Sequence, residues 1–141
     1  MQLNHFTINN SGYTFSGANA IYLGSSDILS VAANKTVTFN CPMAGSGTSP
    51  AWELGSGSTM NVGGSLTTAQ QLRMGGPANS AFYLSGAASS IAIPYILAPV
   101  YVTGGSFSTT GNFFIGYPSL GYSTGTLTVS GGTVSEKAAY S

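Results

Sequence analysis

The stretch Trp52-Glu53-Leu54-Gly55-Ser56-Gly57-Ser58-Thr59-Met60-Asn61-Val62 is answered twenty residues later by Leu72-Arg73-Met74-Gly75-Gly76-Pro77-Ala78-Asn79-Ser80-Ala81-Phe82-Tyr83-Leu84. Each reads apolar-x-apolar-Gly, then a short polar gap, then apolar-x-apolar. Successive side chains on a strand point to opposite faces, so the first and third residues of each triplet share a face. The pattern returns as Ile21-Tyr22-Leu23-Gly24 with Leu29-Ser30-Val31, as Ile91-Ala92-Ile93-Pro94 with Val100-Tyr101-Val102, and as Phe113-Phe114-Ile115-Gly116 with Leu127-Thr128-Val129. The turn residues Gly24, Gly55, Gly75, Pro94 and Gly116 step by 31, 20, 19 and 22 residues. Helical spacing of apolar residues is absent, and Gly, Ser and Thr interrupt every window.

A step of roughly 20 residues, with two clear strands and room for a third, is one turn of a parallel solenoid. The pattern therefore predicts an all-β chain, a single-domain parallel β-solenoid (β-helix) of about five to six turns, stacked about 4.8 Å apart. Residues 1–20 form a partial first turn or N-terminal strand, 21–135 the repeat turns and 136–141 a tail. Inward columns are expected along Leu23, Leu54, Met74, Ile93 and Ile115, and along Val31, Val62, Leu84, Val102 and Val129. Third-strand candidates are Val37 to Phe39, Leu66, Phe107 and Val134, and a loop over Cys41 to Pro50 absorbs the long first step. An antiparallel β-sandwich of pilin type also gives short alternating strands, but it does not predict an in-step repeat.

Composition narrows the function. Lys and Arg number 3, Asp and Glu number 3, and the formal net charge is zero, so 4% of the chain is charged. An ordinary domain carries about 25%. A nucleic-acid partner, which needs a basic face, is excluded. With 43% apolar residues, 7 Phe, 8 Tyr and 1 Trp, so is charge-driven disorder. The 20 glycines follow no Gly-X-Y period, which excludes collagen. No run approaches the ~20 apolar residues of a membrane span. Residues 91–102 come nearest, and Pro94 and Pro99 interrupt them. Met1-Gln2-Leu3-Asn4-His5 lacks the basic region and apolar core of a secretion signal. The single cysteine, Cys41, can form no internal disulfide and reads as a small buried side chain. So few charges suit an extracellular or cell-surface protein rich in hydroxyls and amides, or a subunit covered by its neighbours. Asn9-Asn10-Ser11 and Asn34-Lys35-Thr36 match the glycosylation acceptor pattern.

Chemistry-bearing residues are dispersed. Enzymes that cleave polysaccharides need clustered carboxylates, whereas Asp27 falls in a turn, Glu53 in a strand and Glu136 near the C-terminal end. One His, one Cys and three scattered acids cannot surround a metal ion. Gly75-Gly76-Pro77, Gly104-Gly105 and Gly131-Gly132 lack the Lys and strand-to-helix setting of a phosphate loop and read as turns. The chain is expected to be non-catalytic, with no metal and no cofactor. Glu53 and Arg73 take the same outward position one turn apart, a candidate surface ion pair. Tyr83 and Tyr101 share an outward position on adjacent turns, so their rings should stack. With Phe114, Tyr117 and Tyr122 they form a candidate contact surface for a protein neighbour or a sugar ring.

Residues 113–135 read Phe-Phe-Ile-Gly-Tyr-Pro-Ser-Leu-Gly-Tyr-Ser-Thr-Gly-Thr-Leu-Thr-Val-Ser-Gly-Gly-Thr-Val-Ser. This segment resembles the repeats of autotransporter passenger domains and of surface proteins that carry PEP-CTERM sorting tails. Those repeats run as an apolar-x-apolar-Gly strand, a Gly-rich turn, then Gly-Thr-Leu-Thr-Val-Ser-Gly-Gly. Thr14-Phe15-Ser16-Gly17 and Phe82-Tyr83-Leu84-Ser85-Gly86 are weaker echoes. The resemblance implies a β-helix on a cell exterior that serves as scaffold, with no catalytic residues.

A solenoid ends in unpaired backbone groups above an apolar core, and such ends are capped or recruit another strand. Neither end of the sequence offers an amphipathic cap. Leu3, Phe6 and Ile8 form a candidate N-terminal assembly strand. The expected function is a self-assembling fibre or surface layer, built by end-to-end β-stacking. Two alternatives are an adhesin or carbohydrate-binding fragment that meets a surface glycan, and a pilin-like subunit completed by a neighbour's N-terminal strand.

Overall fold

The computed structural model describes residues 2–45, 47–86, 88–117 and 124–136. Among them the chain is all β, a parallel β-solenoid with fifteen strands. In chain order these are β1 (Gln2–Ile8), β2 (Tyr13–Phe15), β3 (Ile21–Val31), β4 (Thr36–Phe39), β5 (Met43–Gly45), β6 (Ala51–Leu54), β7 (Thr59–Val62), β8 (Leu66–Gly75), β9 (Ala81–Leu84), β10 (Ser89–Leu97), β11 (Pro99–Val102), β12 (Ser106–Thr109), β13 (Phe114–Ile115), β14 (Thr126–Val129) and β15 (Thr133–Glu136). The small sheet has the order β14-β11-β9-β7-β4-β2. The large sheet runs β1-β3-β5-β8-β10-β12-β15, with β6 between β3 and β8 and β13 beside β10. Every pairing is parallel. That excludes the antiparallel sandwich.

Each turn passes once through the small sheet and then through two segments of the large one. The second segments pair Phe6, Leu29, Trp52, Met74, Ile96 and Ile115 into one inward column. The first segments align Ile21, Met43, Leu66, Ser89, Phe107 and Val134. The small sheet aligns Phe15, Phe39, Val62, Leu84, Val102 and Val129. The columns are sealed in their middle: Leu29, Trp52, Met74 and Ile96 of the second segments and Phe39 of the small sheet have no exposed surface, and Met43 and Leu66 of the first segments have 1%.

The repeat is real, but its register differs from the expected one. Ile21-Tyr22-Leu23 and Trp52-Glu53-Leu54 lie on different segments. The residues opposite Trp52-Glu53-Leu54 are Leu29-Ser30-Val31. Strand β3 carries two inward triplets in one run, and a triplet alone does not say which segment it occupies. The apparent step of 31 is therefore a step of 23, from Leu29 to Trp52. Of the expected column Leu23, Leu54, Met74, Ile93 and Ile115, Met74 and Ile115 do align through Ile96, whereas Leu23, Leu54 and Ile93 pair with Gly45, Val31 and Gln71 in other columns. In the small sheet Val62, Leu84, Val102 and Val129 do align, but Phe39 precedes them rather than Val31. Val37 to Phe39 thus belongs to the small sheet, whereas Leu66, Phe107 and Val134 are in the first segment as expected. Asp27 lies within β3 and not in a turn, and the expected Cys41 to Pro50 loop holds β5. Pro94 sits inside β10, opposite Leu72, beside a register shift between Ile91 and Ile93. β1 and β2 pair with β3 and β4, which makes the N-terminal residues a partial first turn.

The turns repeat too. Ser58 and Ser80 are buried, and each hydroxyl donates to a carbonyl three residues back, Gly55 O and Pro77 O, at 2.7 Å. This is how a buried hydroxyl becomes tolerable. At the corner after the small sheet, stacked backbones come close enough to require glycine. A Cβ on Gly86 would sit 2.2 Å from the Gly64 carbonyl oxygen, and one on Gly64 would sit 2.0 Å from that of Cys41. Cys41 itself is buried at 3% exposure.

The stacking makes a graded set of stability changes. Met74→Ala, in a sealed column, should cost about 2–5 kcal/mol. Gly86→Ala should cost about 1–3 kcal/mol through the backbone clash. Thr67→Ala, on the exposed face of β8, should stay within about 0.5 kcal/mol. Urea unfolding followed by circular dichroism ranks the three.

Candidate functional site

The described residues hold no group of three or more His, Cys, Asp or Glu that could bind a metal ion. They also hold no helix long and apolar enough to cross a membrane. What they present is the two ends of the solenoid and two aromatic files on its sides.

At the N-terminal end the described residues leave the first columns only partly covered. Phe15 stacks on Phe39 with centroids 4.9 Å apart, and Phe6 meets Phe15 edge-on at 5.9 Å. Above them opens a concavity of about 400 Å³, walled by Phe6, Ile8, Tyr13 and Phe15 and rimmed by Thr7, Asn9 and Asn10. Tyr13 is 51% exposed. Of the expected assembly strand, Phe6 is half-buried and Ile8 buried. Leu3 lies in β1 opposite Leu23. The whole of β1 pairs with β3 on one side, and its other edge is the end of the large sheet.

At the C-terminal end the described residues leave the same columns uncovered. Val129 and Ile115 are each 49% exposed, while Val102 and Ile96, one turn inward, are 1% and 0% exposed. Val134 is likewise exposed over buried Phe107. One member breaks the apolar series. Glu136 pairs with Thr109, which is fully buried, so the alternation of β15 gives Glu136 the core-facing position. It ends a strand rather than opening a tail.

On the outer side of the small sheet, Tyr83 and Tyr101 are paired in register and stack at 4.9 Å and 13°. Their neighbours in the file are Asn61 and Thr128. Stacked this way, the rings turn their faces to the file and their edges to solvent. Phe114 lies elsewhere, in β13 on the large sheet, and Tyr117 packs beside it. Phe114 stacks on Tyr95 at 4.6 Å, and Tyr117 meets both edge-on at 5.6 and 5.7 Å. The five expected contact residues therefore do not make one surface. Tyr95 was missed because Pro94 read as a turn, and its signal was an aromatic two residues past Ile93 in a β-rich run. Tyr122 lies outside the described residues.

Glu53 and Arg73 are not opposite each other. Glu53 pairs with Ser30 and Gly75, and Arg73 with Ala51 and Tyr95, a displacement of two residues. The buried Nε of Arg73 has no hydrogen-bond partner. The expected ion pair depended on an alignment in which Leu54 and Met74 were partners. Trp52 takes that place, and its own buried Nε1 is also without a partner.

No protein family, curated protein or solved structure matches the chain.

The aromatic files are expected to act on stability as coupled pairs. A double-mutant cycle of Tyr95→Ala and Phe114→Ala should give a coupling of about 0.5–1.5 kcal/mol, and Tyr83→Ala with Tyr101→Ala a similar value. Denaturant unfolding of the two single variants and the double variant of each pair measures it.

Proposed function

We propose that the chain is a structural subunit that assembles end to end, the last turn of one copy seating on the first turn of the next. The observation that carries this reading is the match between the two ends. In the small sheet, Leu127 continues the column that Tyr13 begins, and Val129 continues the column that Phe15 begins. Thr128 and Thr14 share the polar file between them. A second copy placed one strand spacing beyond β14 would thus extend the columns with residues of the same kind. The exposed Ile115 and the half-buried Phe6 stand in the same relation on the large sheet. Such stacking satisfies the edge N–H and C=O groups while covering apolar surface, the two terms that drive β-augmentation.

The near absence of charge supports the reading, because repeated like charges would repel along a fibre. The passenger-type repeat at residues 113–135 supports an extracellular or cell-surface setting. A binding reading, adhesin or glycan-binding fragment, rests on Tyr117, 38% exposed above Tyr95 and Phe114. A glycan array separates it from assembly.

Size-exclusion chromatography and negative-stain microscopy, run from acid to alkaline pH, should find conditions in which rods form and lengthen with concentration. Val129→Lys, which puts an ammonium on an already exposed position, should leave the fold intact by circular dichroism and return discrete particles. A monodisperse monomer at high concentration, from acid to alkaline pH, overturns the proposal.

A further inference from the structure

We infer that Glu136 gates this stacking and makes it acid-dependent. The inference rests on the end-to-end reading above. β15 is the terminal strand of the large sheet, and its core-facing positions are Val134 and Glu136. The column that Glu136 ends comprises Leu23, Gly45, Thr68, Ile91 and Thr109, and these residues are buried. Glu136 is exposed only because no turn lies over it among the described residues. A copy seated on β15 would carry the carboxyl into the core.

Burial disfavours the ionised carboxylate unless a cation or hydrogen-bond donors meet it. The neighbouring strand β12 offers none with charge: its residues are Ser106, Phe107, Ser108 and Thr109. Within β15 itself there is no other titratable group. On the incoming β1 the titratable group is His5, which is exposed and lies opposite Ile28 in the file that ends at Phe114, not in the column of Glu136. Lys137 lies outside the described residues. A copy seated on β15 over an ionised carboxyl would therefore leave an unpaired charge in the core. By linkage, stacking strengthens as pH falls and weakens as pH rises. An inward charge on an edge strand is also a known means of blocking unwanted strand addition, so at neutral pH the same residue keeps the subunit discrete.

The test follows rod formation by light scattering and microscopy for the full chain at about pH 4 and about pH 8, on either side of carboxylate titration. The chain itself should assemble at the acid pH with a critical concentration about tenfold or more below that at the alkaline pH. Glu136→Gln should assemble alike at both. Ser135→Glu combined with Glu136→Gln restores the net charge but places it on the outward face, and it should also assemble at both. Equal rod formation by the unaltered chain at the two pH values overturns the gate and leaves end-to-end assembly standing. Rods that remain acid-dependent in both variants also overturn the gate. No rods from any of the three chains at either pH, each folded by circular dichroism, overturns assembly and the gate together.

Discussion

The backbone of each turn is hydrogen-bonded to the turn above and the turn below, in parallel and in register, and everything else follows from that. Because partners are about one turn apart in sequence, the side chain at a given place in one turn meets the side chain at the same place in the next. Identical requirements then recur at every level. Inward places need apolar residues of compatible size, corners need glycine where backbones close on one another, and turn serines need a carbonyl to bond. A chain with six charged residues can satisfy these demands, since little in a column asks for charge and little on the outside excludes hydroxyls.

Much of this was legible in the residues. Apolar-x-apolar triplets at a near-constant step pointed to a parallel solenoid, and the stack of Tyr83 on Tyr101 followed from their shared position. What the pattern did not carry was the assignment of triplets to segments. Ile21-Tyr22-Leu23, Leu29-Ser30-Val31 and Val37-Thr38-Phe39 look alike, yet they occupy three different places in one turn. Only pairing distinguishes them. The misplacement of one triplet moved the Glu53 and Arg73 alignment by two residues, so the two are not opposite each other. The turn reading of Pro94 had a similar effect, because proline usually interrupts a strand, and here a register shift next to it lets the strand continue. The core-facing place of Glu136 depended on knowing that Thr109 is its partner.

The two ends are both apolar but present different side chains. One is an aromatic hollow around Phe6, Tyr13 and Phe15, and the other a pair of aliphatic edges with a carboxylate among them. A stack built from such subunits has direction, because the surface that receives is not the surface that is received. Association of this sort is heterologous, and it runs on without closing unless a rotation brings the ends together.

Trp52 is the sole tryptophan of the chain, fully enclosed, 6.1 Å from the ring of Phe82, with an indole N–H that meets no acceptor. An indole so placed is shielded from water dipoles and should emit at the blue end of its range. The molecule thereby carries a native fluorophore in its central layers, whose red shift would register loosening there before the outer layers enter the signal.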